Sequence, residues 1–331
     1  MRAQRIVFTG PGQAALQDVD VDDSPMAAHE VLLRTACSVI SSGTELAGYA
    51  GDQTLFPGPN SYPVYPGYAA VGEVLAAGEA ASVRQGDMVL AHTPHQSLTR
   101  FDSRERVCVR VPDGVAPEWA TLARIAQVSA VSIRLTVARP GDRAAVIGLG
   151  LVGNLAAQLA RCAGLRVLGV EPVAERRRLA ERCGVGETRD PSLLNDDSEN
   201  SCHVALECSG QDRGLLSALE LAAMHGEVFL IGAAWKRGLD VVAADVARPI
   251  FTKYLALRSG WEWQIPLYGD RPPGSIAGCT TWILGCMRDG ALRLEELITD
   301  RMSPAQAPAA YANLLEHPAE HLGVVVDWRR S

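Results

Sequence analysis

Residues 144 to 171 read AAVIGLGLVGNLAAQLARCAGLRVLGVE, and no other stretch restricts the fold as strongly. An unbroken apolar run is followed by glycines at 148, 150 and 153. Apolar residues at helical spacing come next, and then a second apolar run closed by Glu171. An apolar run without alternation is a strand covered on both faces, as in a parallel sheet. G-x-G-x-x-G between such a strand and a helix is the dinucleotide-binding turn. Gly148 allows the tight turn, Gly150 lets a pyrophosphate approach the backbone, and Gly153 lets the helix pack close to the strand. The backbone of Leu149, Leu151 and Val152 then offers free N–H groups at the positive end of the helix dipole. Glu171 stands where a carboxylate accepts hydrogen bonds from the adenosine ribose and repels a 2′-phosphate. NAD is therefore the expected cofactor. Arg176 is the residue that favours NADP instead. Cys208 and Gly232, which follow the next two apolar runs, complete the expected nucleotide-binding set.

The same rhythm continues through "RVLGVE", "AERRRLAERCG", "HVALECSG", "GLLSALELAAMHG" and "EVFLIGA". Strand and helix patterns in alternation predict a doubly wound parallel sheet over residues 116–260. Residues 1–115 are different: short β-like runs such as "EVLLRTACSVI", "GDMVLAH" and "RVCVRVP" are punctuated by Gly and Pro. Residues 261–331 are mixed, with a helix expected near 277–289 and a last strand in "LGVVVDW". The expected class is α/β, with this tail returning to the N-terminal β domain. The polar stretch 190–201 reads as a surface loop.

A chain of 331 residues suits two domains. A net charge of -7 argues against nucleic acid or an acidic membrane as partner. The basic run Arg176 to Arg178 lies beside Glu175 and Glu181 and reads as a solvated helix face. There is no apolar run of membrane-spanning length, and the first residues lack a leader's apolar region. The eight cysteines form no C-x-x-C pair and read as free thiols of a reducing cytoplasm.

The stretch YPVYPGYAAVG (residues 62–72) resembles a metal-site frame that lacks its ligands. With "VLLRTACSVISSGTEL", "GDMV", "VPDGV", "ATLARIAQVSA" and the C-terminal "LEELITDRMSPAQAPAAYANLLEHPAEHLGVVVDW", it makes the whole chain resemble a medium-chain dehydrogenase/reductase. The resemblance implies a GroES-like β domain built from both chain ends (1–115 and 261–331), a Rossmann domain between them (116–260), and a cleft where nicotinamide meets a small-molecule substrate. It also implies a homodimer through Rossmann edge strands near Glu227–Ile231 or Lys253–Arg258. In zinc-bearing relatives a His stands at the place of Tyr68. The relatives' Cys ligand maps to Ile40 or Ser42, and a third ligand maps near Ile125 and Ala126. Of the matched positions only Glu45 carries a ligand type, because zinc needs thiolate, imidazole or carboxylate. "ISSGTE" and "PGYAAVG" are closest to the zinc-free branch that includes the hydroxyethyl-bacteriochlorophyllide dehydrogenases.

Without a metal, side chains must bind the substrate oxygen and carry its proton. Tyr68 or Glu45 is the expected acid/base, with Thr44 positioning the oxygen. The alternatives are that Tyr68 fills the vacated cavity and that Glu45 pairs with a basic residue. Ser42, His95, Arg124, Trp261 and Trp263 are candidate substrate contacts. His92, three residues before His95, could bind metal or shuttle protons. Arg124 interrupts an apolar helix start and could grip an anion or pair with an acid. Interdomain or dimer packing is the competing role for the two tryptophans. The expected activity is zinc-independent, NAD(P)-linked interconversion of a secondary alcohol and its ketone, a cyclic polyol or secondary metabolite among them. Enone reduction, or nucleotide binding without turnover, are the alternatives.

Overall fold

The computed structural model describes residues 1–51, 62–194, 200–232, 238–269 and 274–330. The stretch 144–171 forms the centre of a six-stranded parallel sheet. In spatial order its strands are Glu187–Arg189, Arg166–Val170, Arg143–Ile147, Cys202–Glu207, Ala222–Leu230 and Ala256–Ser259. In chain order that is 3-2-1-4-5-6, the doubly wound arrangement whose strand order reverses beside the first strand. The crevice for a ligand lies there, off the carboxyl ends of Arg143–Ile147 and Cys202–Glu207. Both strands are buried along almost their whole length, as their unbroken apolar runs require.

A seven-stranded mixed sheet is built from the two ends of the chain. Strand Glu30–Ile40 pairs on one side with Ala70–Ala77 and on the other with Gly323–Asp327, in the register Val324 to Ile40. Met88–Ala91, Cys108–Arg110, Leu98–Asp102 and Ile298–Met302 complete the sheet. The hairpin Arg2–Gly10 and Gln13–Asp20 lies against it through bridges at Gln96 and Val64.

Helices Pro117–Leu135 and Ile276–Arg288 pack together between the sheets. One core runs from Val39 and Leu90 through Ile125 and Ile283 to Val146 and Leu155. Burial of apolar side chains from both sheets on these helices sets the spacing of the two halves.

Two expectations are corrected. The helix in "GLLSALELAAMHG" ends at Leu221, and Ala222 already begins the next strand. Gly226 makes this possible, since a Cβ there would sit 2.8 Å from Ala223 O. The segment Glu227–Ile231 is not a sheet edge, because its strand is flanked by Cys202–Glu207 and Ala256–Ser259; only the latter is an edge on that side. Part of the expected surface loop, 195–199, lies outside the described residues.

Candidate active site

The glycine turn leads directly from strand Arg143–Ile147 into helix Leu151–Cys162. Gly148 has φ +85°, and a Cβ on Gly153 would lie 1.7 Å from Gly148 O, so the fold itself demands both glycines. Gly150 differs: a Cβ there would meet nothing within 4 Å. The helix N-cap is Gly150, with no side-chain hydrogen bond to the first N–H groups. An open glycine beneath uncapped donors is the shape a pyrophosphate fills. Leu149 is fully buried within the turn, and Leu151 and Val152 begin the helix. Glu171 is buried, and its Oε2 accepts from Leu149 N at 2.8 Å, so the acid is fixed beside the turn. Cys208 and Gly232 lie at the ends of the neighbouring strands. A Cβ on Gly232 would be 2.9 Å from Cys208 C, and burial raises the Cys208 thiol pKa well above its ordinary value. Arg176 Nη2 donates to Pro318 O at 3.2 Å, and Arg177 Nη1 donates to the carbonyl of Glu171.

The second half of the site is built around a buried polar chain. Trp328 Nε1 donates to Ser38 Oγ at 2.9 Å, and Ser38 Oγ lies 2.8 Å from His95 Nδ1. His95 Nε2 lies 3.0 Å from Glu45 Oε2, which also accepts from the Tyr311 hydroxyl. Glu45 Oε1 accepts from Ser41 N at 2.8 Å. Ser38 Oγ accepts from Trp328 Nε1–H, and both ring nitrogens of His95 are engaged, Nδ1 with Ser38 Oγ and Nε2 with the carboxylate. His95 is completely buried and Glu45 nearly so. This geometry is that of the alternative in which Glu45 pairs with a basic residue, here His95. Their polar atoms are engaged with one another and turned from solvent. Gly67, at φ +95°, is part of the same construction, because a Cβ there would lie 2.7 Å from the His95 ring.

Tyr68 emerges from this frame half-buried. Its hydroxyl donates to Ser41 Oγ, and the Thr44 hydroxyl also bonds to it. Burial raises the phenol pKa, while Arg124, Ser41 and Thr44 oppose the rise. Ser42 opens helix Ser42–Ala50. Arg124 is 3% exposed, with its guanidinium carbon 4.5 Å from the centre of the Tyr68 ring. Its Nη1 donates to Gln127 Oε1 and its Nη2 to Glu262 Oε1, each at 2.8 Å. Trp263 lies 5.8 Å from the same guanidinium and stands edge-on to His92 at 6.2 Å. Trp261 is separate, 60% exposed. Burial, with help from Arg124 and Arg106, holds the His92 pKa well below the ordinary range, so the ring is neutral at neutral pH. Arg124 Nε, Gln127 Nε2 and His92 Nε2 are buried without a hydrogen-bond partner.

These side chains do not fit a tetrahedral zinc. Tyr68, Ile40 or Ser42, and Ile125 offer no suitable ligand, and His95 and Glu45 are committed to each other. Among the described residues no group of three His, Cys, Asp or Glu side chains gathers to hold a metal. Sequence reading missed Ser38, Ser41, Gln127, Glu262, Tyr311 and Trp328. Only Glu262, within the aromatic segment 259–268, carried a signal, because an acid beside two tryptophans is a candidate partner for Arg124.

The family described as zinc-binding dehydrogenase matches residues 152–261, the nucleotide-binding part of the chain. The 2-desacetyl-2-hydroxyethyl bacteriochlorophyllide A dehydrogenase of Cereibacter sphaeroides is 30% identical over the full length of both chains. D-guloside 3-dehydrogenase of Shigella flexneri is 27% identical, over 96% of this chain and 98% of that protein. Among solved structures, galactitol-1-phosphate dehydrogenase from Escherichia coli superimposes with a TM-score of 0.81 at 19% identity, covering 98% of this chain and 99% of that one. A zinc-binding dehydrogenase from Sinorhizobium meliloti 1021, bound to NADP, gives 0.80 at 20% identity, covering 99% of each chain. No helix among the described residues is long and apolar enough to cross a membrane. With its sheet order, glycine turn and full-length likeness to these oxidoreductases, the chain belongs to the medium-chain dehydrogenase/reductase superfamily.

Proposed function

We propose that the protein interconverts a secondary alcohol and its ketone with NAD(P), and that protein side chains alone handle the substrate's proton. The observation that carries this reading is Tyr68: a half-buried phenol beside two hydroxyls, facing a buried arginine. The nicotinamide nucleotide supplies or accepts the hydride when bound. The Gly148–Gly153 turn and the first N–H groups of helix Leu151–Cys162 hold its pyrophosphate, and Glu171 favours NAD over NADP by repelling a 2′-phosphate. Tyr68 Oη gives its proton to the ketone oxygen in reduction and takes it back in oxidation. A phenol whose pKa is raised by burial is protonated at neutral pH, which suits the reductive direction. Ser41 Oγ and Thr44 fix the phenol's orientation. The unpartnered donors of Arg124 and Gln127 suit a substrate with a second oxygen next to the reacting carbon, as in a polyol.

The test is a nucleotide-coupled assay of cyclic polyols, simple secondary alcohols and conjugated enones, on protein treated with a chelator and checked by elemental analysis. The reading expects turnover of alcohol or ketone without zinc, and a loss of about 10²–10⁴-fold in kcat for Tyr68→Phe. Zinc-dependent activity, turnover of enones alone, or full activity in Tyr68→Phe would overturn it.

A further inference from the structure

Of the thirteen buried residues in helix Pro117–Leu135, Arg124 alone is charged. Its ion-pair partner Glu262, also buried, lies in the short turn that follows the last parallel strand, Ala256–Ser259. That turn is pinned to the sheet, because Gly260 N donates to Leu230 O at 2.8 Å. Burying two charges costs several kcal/mol per ion, and apolar residues of similar volume would often stabilise the fold as well. Helix packing alone therefore does not account for Arg124. Its guanidinium carbon lies 4.5 Å from the Tyr68 ring centre, and Glu262 Oε1 lies 2.8 Å from Nη2 of the same group.

We propose that Arg124 and Glu262 are positioning residues that together set the proton affinity of Tyr68: Arg124 supplies the positive charge, and Glu262 limits how much of it reaches the phenol. The inference rests on the reading of Tyr68 as the group that carries the proton. The charged and titratable groups around the phenol are Glu45 on helix Ser42–Ala50 and Arg124 on helix Pro117–Leu135. Arg124 is faced in turn by Glu262 and by the neutral His92. A guanidinium at this distance favours phenolate, and a carboxylate behind it cancels part of that effect. The two members of one ion pair thus push Tyr68 in opposite directions.

Glu262→Gln keeps an oxygen for Arg124 Nη2 and removes the negative charge. It is expected to shift the Tyr68 ionisation limb in the pH profile of kcat/KM down by about one pH unit. The phenolate fraction of Tyr68 at pH 10, read from the ¹³Cζ resonance of labelled tyrosine with Tyr68→Phe as assignment control, should rise several-fold, with about tenfold as the ceiling for a one-unit shift. Arg124→Met strands the Glu262 carboxylate, so the informative partner is Arg124→Met/Glu262→Gln, which lowers the phenolate fraction below that of Glu262→Gln. An unchanged or reduced phenolate fraction in Glu262→Gln overturns the proposal. So do equal activity losses in both variants with no movement of the pH limb, the result a merely structural role gives. The resonance is read without turnover. If it moves as expected while Tyr68→Phe keeps full activity, the electrostatic control of Tyr68 stands and the proton-transfer reading falls.

Discussion

His95 Nε2 lies 3.0 Å from Glu45 Oε2, and neither side chain is open to solvent. This contact ties helix Ser42–Ala50 to the segment after strand Met88–Ala91, and through Tyr311 to helix Ala307–Glu316 near the other end of the chain. The network forms the floor on which Ser41 and Tyr68 stand. Removing the Tyr311 hydroxyl takes a donor from a buried carboxylate. Tyr311→Phe should lower stability by about 1.5–3 kcal/mol, seen as a reduced urea midpoint with unchanged m-value.

Gly67 tests the same construction from the backbone side. Alanine there meets a left-handed conformation and the His95 ring together. Gly67→Ala should cost about 1–2 kcal/mol for the backbone and about 1–3 kcal/mol for the overlap. A urea midpoint equal to wild type would show that the His95 backbone, 2.6 Å from such a Cβ at its nitrogen, and its ring both yield to the methyl.

The glycines of the turn should separate fold from ligand. Gly153→Ala places a methyl 1.7 Å from Gly148 O and should unfold or strongly destabilise the nucleotide-binding half. Gly150→Ala meets no protein atom and should change stability by less than about 1 kcal/mol. It should nonetheless weaken NAD(H) at least tenfold, about 1.4 kcal/mol. Thermal unfolding and NADH fluorescence titration, run side by side, check both halves of the expectation.

His92 gives the protein a pH-dependent stability. Its folded-state pKa is depressed, chiefly by burial and then by Arg124 and Arg106, so between that value and about 6.5 the unfolded chain binds the extra proton. Stability from this group is full above about pH 6.5 and is lost as pH falls below it, at up to about 1.4 kcal/mol per pH unit. His92→Phe should flatten that slope in denaturation curves between pH 5 and 7. An identical slope in the variant would assign the effect to other groups.

The parallel sheet, its glycine turn and the acid at Glu171 were legible because each depends on residues adjacent in the chain. A strand buried on both faces, a backbone needing φ above zero and a helix starting on glycine all leave local marks in sequence. The return of the tail to the N-terminal β domain was expected from the mixed pattern of residues 261–331 as the simplest architecture, and the resemblance implied it as well. For Glu45 and Arg124 ion pairing was legible only as one of two alternatives, and the partners of Glu45, His95 and Arg124 were not legible. Each depends on partners 50, 57, 138 or 266 positions away, and a buried, fully bonded carboxylate has the same sequence signature as an exposed catalytic one. The amino-acid order by itself determined the parallel sheet and the strand–glycine turn–helix that opens it. Tertiary packing alone decided which polar groups near Tyr68 became floor and which became charge. Hydrogen-bond satisfaction in a dry interior depends on three-dimensional neighbours, and those are fixed only when the two ends of the chain meet.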